Sequence, residues 1–197
     1  RTPKRLRFLV SNTGTGSSSA AYRLDAAETA SCGTGTYSAV PTVSTGHWQV
    51  IGTSYYADGD SSTNVSSGLT DYPSWGTFVA GQLKDTANTT ASITLASNRF
   101  TEIEFAIQAT TNATAGGDYC FQLYNTTNGA VLNGYTYAQA RVLGVTAIDL
   151  LSFAAEGDGS AVKVSWQTAQ ESENKGFNLY RGSRPAGPFE KLNGGLI

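Results

Sequence analysis

Residues 100–124 read FTEIEFAIQATTNATAGGDYCFQLY, and the fold class turns on this stretch. Its first half alternates. Ile103, Phe105, Ile107 and Ala109 fall on one side of an extended chain, and Glu102, Glu104, Ala106 and Gln108 on the other. A period of two marks a strand with one buried and one wet face. On that reading Glu102 and Glu104 belong to a solvated edge. A solvated edge suits them better than an acid/base pair, and their spacing alone is no glycosidase argument, because two such carboxylates must flank a cleft. The loop TTNATAGGD follows, and then a second short strand over residues 119–125. The expectation is a hairpin at the centre of a β-sandwich, carrying one of only two cysteines.

Outward from this stretch the same pattern recurs. Residues 4–12 alternate with Leu6, Phe8 and Val10 on one face. NTGTGSSS, residues 12–19, is a turn cluster, and residues 20–25 place Tyr22 and Leu24 inward. Residues 47–56, 77–83, 89–96 and 130–142 read as further strands. Residues 26–45 are loop-rich, and residues 57–75 form a long polar excursion. The one helix candidate, residues 26–30, is too short to stand alone. Many short strands without a sustained helical period predict an all-β chain, with an Ig-like or jelly-roll sandwich over residues 1–144.

Of 197 residues 40% are hydrophobic, enough for real cores, but only 14% are charged. That is well below the roughly 25% usual for globular proteins. Ser, Thr, Asn and Gly carry the polarity instead, as is common in secreted β-proteins. A net charge of -2 gives no electrostatic case for nucleic acid or an anionic membrane. Arg1, Lys4, Arg5 and Arg7 cluster at the start and read as a flexible or processed end. The chain holds no methionine, so it does not begin at its initiator as given. No apolar run approaches the roughly 18–20 residues that span a bilayer. Cys32 and Cys120 are the whole cysteine inventory, and an oxidising compartment would pair them. Closing so long a loop stabilises by about 4 kcal/mol in the chain-entropy model. If Phe121 and Leu123 face the core, Cys120 faces away from it, and the bridge clips the Cys32 loop onto an outer face.

Two stretches carry family resemblances. The opening FLVSNTGTGSSSAAYRL, with Val10, Asn12, Thr13 and Gly14, resembles the first hairpin of bacterial extracellular Ig-like domains, which often begin V-x-N-T-G. Beyond residues 144–146 the chain changes character. Leu151-Ser152-Phe153, Val162-Lys163-Val164-Ser165-Trp166, Thr168-Ala169-Gln170-Glu171 and Asn174-Lys175-Gly176-Phe177-Asn178-Leu179-Tyr180-Arg181 follow in order. This order resembles the first half of a fibronectin type III-like domain, of the version found near the C-terminus of many secreted bacterial proteins. The resemblance implies a non-catalytic extracellular spacer or anchoring module over residues 145–197. Val162, Val164 and Trp166 alternate inward, as do Phe177 and Leu179. Only three strands are readable there, whereas such a domain needs about seven. The expectation is that chain beyond Ile197, another chain, or the first domain supplies the missing cover.

Few residues suggest chemistry. Asp58 and Asp60, in DGDSSTN, alternate as oxygen ligands do in calcium loops. The stretch departs from an EF-hand at Thr63 and Leu69, and a solvated turn is the competing reading. Trp48, Tyr55, Tyr56, Tyr72 and Trp75 could stack on sugar rings. Trp48 alternates with Val50 and belongs to a core strand, which leaves Tyr72 and Trp75 as the glycan candidates. His47 is the only histidine, and the sequence shows no catalytic partner for it. G-x-S-x-G, H-E-x-x-H, the P-loop and the dinucleotide fingerprint are all absent. N-x-S/T sequons occur at Asn64, Asn88, Asn112 and Asn125. In a bacterial source they would be unused.

The functional expectation is a non-catalytic extracellular or cell-surface protein without a cofactor. It would be a subunit or segment of a bacterial surface filament, layer or adhesin stalk, self-associating by β-strand addition into a homopolymer. Trp166, Phe177 and Leu179 are the expected acceptor face, and Leu6, Phe8 and Val10 the expected donor strand. The alternative is a carbohydrate-binding or spacer module of a larger secreted enzyme.

Overall fold

The computed structural model describes residues 2–65, 69, 76–143, 149–157, 159–170 and 174–197. The chain is all-β and divides into two compact units, Arg1–Gly144 and Val145–Ile197. In unit 1 the strands are β1 (Lys4–Asn12), β2 (Ser18–Ala20), β3 (Tyr22–Glu28), β4 (Ser38–Ala39), β5 (Trp48–Val50) and β6 (Thr77–Phe78). They continue with β7 (Leu83–Lys84), β8 (Ile93–Leu95), β9 (Arg99–Ala109), β10 (Asp118–Asn125), β11 (Ala130–Val131) and β12 (Ala138–Arg141). One sheet is built on β9, antiparallel to β1 and β5 and parallel to β6 and β7. The other is built on β10, antiparallel to β3, β11 and β12, with β4 beyond β3. A short pair, β2 and β8, lies outside both.

The two sheets enclose one core. Phe8, Val10, Trp48, Val50, Ile103, Phe105 and Ile107 come from the first sheet, and Tyr22, Leu24, Tyr119, Phe121 and Leu123 from the second. Trp48 meets Tyr119 and Phe121 edge-on, with centroids 5.7 and 5.2 Å apart. Such contacts add about 0.5–1.5 kcal/mol each beyond area burial, and these link the two sheets directly.

The hairpin expected over residues 100–124 does not form. β9 and β10 are the central strands of opposite sheets, and TTNATAGGD crosses between them. A hairpin would need a free side on β9, but β1 occupies one side and β5, β6 and β7 the other. The loop is tied down at both ends of the crossing. The Thr110 hydroxyl donates to the Gly46 carbonyl, and the Gly116 N–H donates to the Val142 carbonyl at 2.7 Å. Gly116, at φ +76°, supplies the left-handed turn that returns the chain to β10.

The second correction concerns the face expected to be wet. Glu102 is fully buried and Glu104 nearly so. The described start of the polar excursion, with Ser62 and Val65, lies over them. The Ser62 hydroxyl donates to the Glu102 carbonyl at 2.6 Å and accepts from the Gly81 N–H at 2.9 Å. A Cβ on Gly81 would overlap the Glu102 carbonyl, so only glycine allows this approach. The carboxylates are neutralised from β1. Arg7 donates to Glu102 and Glu104, at 2.7 Å each, and Arg5 donates to Glu104. Of the basic cluster read as a flexible end, Lys4, Arg5 and Arg7 therefore belong to an ordered strand, and Arg1 lies outside the described residues. Two lesser differences follow. Residues 26–28 continue β3, and the strand expected over 47–56 is confined to Trp48–Val50.

In unit 2, β13 (Asp149–Gly157) pairs antiparallel with β14 (Val162–Gln170), and β15 (Tyr180–Gly182) with β16 (Phe189–Lys191). The register places Phe153 opposite Trp166, and Ala155 opposite Val164. A bulge at Leu151 keeps Leu150 opposite Thr168 on that same face. Ser152, Ala154 and Glu156 share the other face with Lys163, Ser165 and Gln167.

Replacing Arg7 by Ala takes from buried Glu102 the cation it has among the described residues and leaves Glu104 with Arg5 alone, a change that typically costs about 3–5 kcal/mol. Urea unfolding of the variant is expected to show a loss of that order. A loss under about 1 kcal/mol would show the pair to be no more than a surface contact.

Candidate functional site

Two surfaces are open to a partner. The first is the outer edge of β1, which among the described residues pairs with no strand other than β9. Beside it a cleft of about 480 Å³ is lined by Arg7, Leu9, Ser11, Tyr135, Thr136 and Tyr137. The tyrosines are part of a stack: Tyr135 lies 5.2 Å from Tyr137, which lies 6.0 Å from Tyr37, with the ring planes within 20°. The Tyr135 hydroxyl donates to the Leu123 carbonyl at 2.7 Å and accepts the Leu132 N–H. Burial, with Tyr137 and Tyr135 adding to it, pushes Tyr37 up to about 12. An unpaired strand edge next to a rigid cleft is a template for another strand.

The second surface is the apolar face of β13 and β14. Leu150 and Phe153 are each 55% exposed and Val162 is 66% exposed. Trp166 and Phe177 are half-buried against one another, edge-on at 5.4 Å. Phe177 and Leu179 were expected within a strand, but β15 begins only at Tyr180. Their backbone groups have other partners. Phe177 and Ile197 exchange N–H to carbonyl bonds at 3.1 Å, and the Leu179 N–H donates to Asn193 Oδ1 at 2.7 Å.

Leu6, Phe8 and Val10 stand differently from the donor role expected of them. β1 is paired with β9 along its whole length, and Phe8 and Val10 are buried in the core of their own unit. Side chains so placed cannot enter a neighbour without opening unit 1. What β1 presents to a partner is backbone, not an apolar row.

Cys32 and Cys120 form a disulfide with a Cα–Cα separation of 5.4 Å. Tyr119, Phe121 and Leu123 face the core, and Cys120 points to the sheet's outer side, where the short 3-10 turn Cys32–Thr34 covers it. The Tyr37 hydroxyl donates to the Cys32 carbonyl at 2.9 Å, so the bridge also fixes the aromatic stack.

The remaining sequence candidates separate. Tyr72 and Trp75 lie outside the described residues. Arg5 sits over Tyr55 and Tyr56, 5.9 and 5.6 Å from the ring centroids. The Asp58 carboxylate takes Lys84 on one oxygen and three backbone N–H groups on the other, while Asp60 accepts the Ala57 N–H. Burial alone would raise the Asp58 carboxyl, but Lys84 and the three amides outweigh it and hold it at about 2. Among the described residues no group of three or more His, Cys, Asp or Glu side chains could hold a metal ion. His47 has neighbours that its sequence context does not reveal. Its Nδ1 lies 3.1 Å from Glu28 Oε2 and 3.0 Å from Tyr119 Oη, on the wall of a cleft of about 350 Å³. Among the described residues no helix is long and apolar enough to cross a membrane. Comparison with protein-family models, curated proteins and solved structures finds no match to this chain.

Replacing Cys32 and Cys120 by Ser frees a loop closed across a sequence separation of 88 residues. The chain-entropy model assigns such a closure about 4 kcal/mol. The thermal midpoint is expected to fall when the intact protein is reduced, by the number of degrees that such a loss of stability corresponds to. An unchanged midpoint on reduction would show that the turn holds its place without the bond.

Proposed function

We propose that the chain is a non-catalytic extracellular structural protein, a subunit or segment of a surface filament, layer or adhesin stalk that assembles by β-strand addition. In this reading unit 1 is an Ig-like block and unit 2 a fibronectin type III-like module. The observation that carries the proposal is the apolar face of β13 and β14, where Leu150, Phe153 and Val162 stand more than half exposed. Burying each would contribute about 1.5–3 kcal/mol, so a face of this kind favours a cover. The disulfide and the low charge content fit an oxidising, extracellular setting. β1 contributes as an edge that accepts a strand, with its side chains retained in their own core. Contacts between two different surfaces of identical copies need not close, and so they propagate as fibres.

Micrographs and sedimentation of the purified chain test this. A polymer with a regular repeat is expected. Phe153→Lys with Val162→Lys should abolish it while leaving the near-UV signal of unit 1 intact. A monodisperse monomer at all accessible concentrations would overturn the proposal.

A further inference from the structure

Three strands of nine residues have a free edge among the described residues: β1, β13 and β14. β1 pairs there with β9 alone, and β13 and β14 pair only with each other. Residues 150–157 of β13 are exposed on both faces of the strand. Open edges of this length are templates for pairing, and their charges decide which of them fit together. The face of β1 turned away from the core carries Arg5 and Arg7, opposite Ala106 and Glu104 of β9. A second copy of β1 would bring the same two arginines to it. β14 would bring Lys163. Either choice sets cations against cations, which destabilises a cross-strand pair. On β13 the equivalent face carries Ser152, Ala154 and Glu156. Glu156 makes no ion pair among the described residues.

We propose that β13 of one copy adds antiparallel to β1 of the next, with Glu156 opposite Arg5 and Phe153 opposite Phe8. This rests on the assembly reading above and names the two strands that meet. The two placements imply each other. In an antiparallel pair one strand counts up as the other counts down, so Glu156 opposite Arg5 sets Ala154 opposite Arg7, Phe153 opposite Phe8 and Ser152 opposite Leu9. Each face then meets its like. Phe153 and Ala155 continue the core face of β1, and Ser152, Ala154 and Glu156 continue the face with the arginines. A slip of two residues keeps the faces but moves Glu156 to Arg7. The Arg7 side chain is only 13% exposed and already serves Glu102 and Glu104, whereas Arg5 is 48% exposed and serves Glu104 alone. A parallel strand with Phe153 beside Phe8 carries Glu156 to Ser11, away from both arginines. In the antiparallel register Phe153 enters the cleft of about 480 Å³ walled by Phe8, Tyr135 and Tyr137. Trp166, opposite Phe153 on β14, follows on the same side. The exposed charge pair fixes direction and register, and the apolar contact supplies affinity.

The test is disulfide trapping between full chains that keep the Cys32–Cys120 bridge. Leu9→Cys and Ser152→Cys are made in separate chains, mixed under conditions that give polymer, and gently oxidised. Directly opposed residues have Cα atoms about 4.5–5.5 Å apart, within the span of a disulfide. A digest is expected to contain the linked peptide joining positions 9 and 152. Mixing Leu9→Cys with Ala154→Cys should give no such link, because diagonal neighbours lie about 7–8 Å apart. Glu156→Lys should raise the concentration at which polymer appears about tenfold, since it sets a cation against Arg5. Polymer without the 9–152 link, or an unchanged threshold in Glu156→Lys, overturns this pairing and leaves the assembly reading standing. A chain that forms no polymer at any accessible concentration overturns both.

Discussion

A central strand covered on both faces must find a partner for every polar group on its second face, and unit 1 is arranged around that requirement. β9 puts Ile103, Phe105 and Ile107 into the sandwich core and Glu102 and Glu104 into a second, smaller interior. An unpaired buried carboxylate costs several kcal/mol against a total stability of about 5–15. The cations must therefore come from a neighbouring strand, and β1 supplies them through Arg5 and Arg7. The register is fixed by the same contacts: Arg5 stands opposite Ala106 and Arg7 opposite Glu104, so both guanidinium groups reach the carboxylate row. A slip of one residue would send the arginines into the core and Phe8 out of it. Gly81 and Ser62 then hold the described start of the polar excursion down over the pair.

This arrangement also marks the limit of what a sequence reveals. The alternation of Ile103, Phe105 and Ile107 was legible because it depends only on the two-residue period of a strand. The extent of β1 was legible for the same reason, and the pairing of Cys32 with Cys120 was legible on the condition of an oxidising compartment, there being no third cysteine. The division of β9 and β10 between two sheets was not. A nine-residue loop between two strands is compatible with a hairpin or a crossing, and what decides is whether the side of β9 is free. β5, β6 and β7 fill it with strands of two or three residues, too short to give a period. The burial of Glu102 and Glu104 was hidden because alternation separates the two faces of a strand without saying what lies over the second one. Here the cover comes from a Ser-, Thr- and Asn-rich segment that reads as solvated loop.

The contacts with most chemical content were hidden by distance along the chain. Lys84 reaches Asp58 across 26 positions, His47 meets Tyr119 across 72, and Tyr37 stacks on Tyr137 from a distant part of the sequence. Spacing within a motif cannot signal pairs like these. A weak trace existed in two places. Tyr135 and Tyr137 already alternate on one side of their segment, and a lysine beside an aspartate at a strand end is an unusual residue to bury.

The two open surfaces contribute differently to any assembly. A strand added along β1 gains backbone hydrogen bonds worth about 0.5–1.5 kcal/mol each net of water, and those bonds are the same whatever the sequence of the added strand. Such an edge fixes direction and register but discriminates little between partners. The face of β13 and β14 works the other way. Leu150, Phe153 and Val162 contribute by area, and the side chains that fit are those that complement this face. An edge alone would admit many strands weakly, and an apolar face alone would bind without a defined register. A regular polymer would use both in the same chain, and among the described residues this one carries an edge in unit 1 that pairs with no further strand and an apolar face in unit 2 that stands more than half exposed at Leu150, Phe153 and Val162.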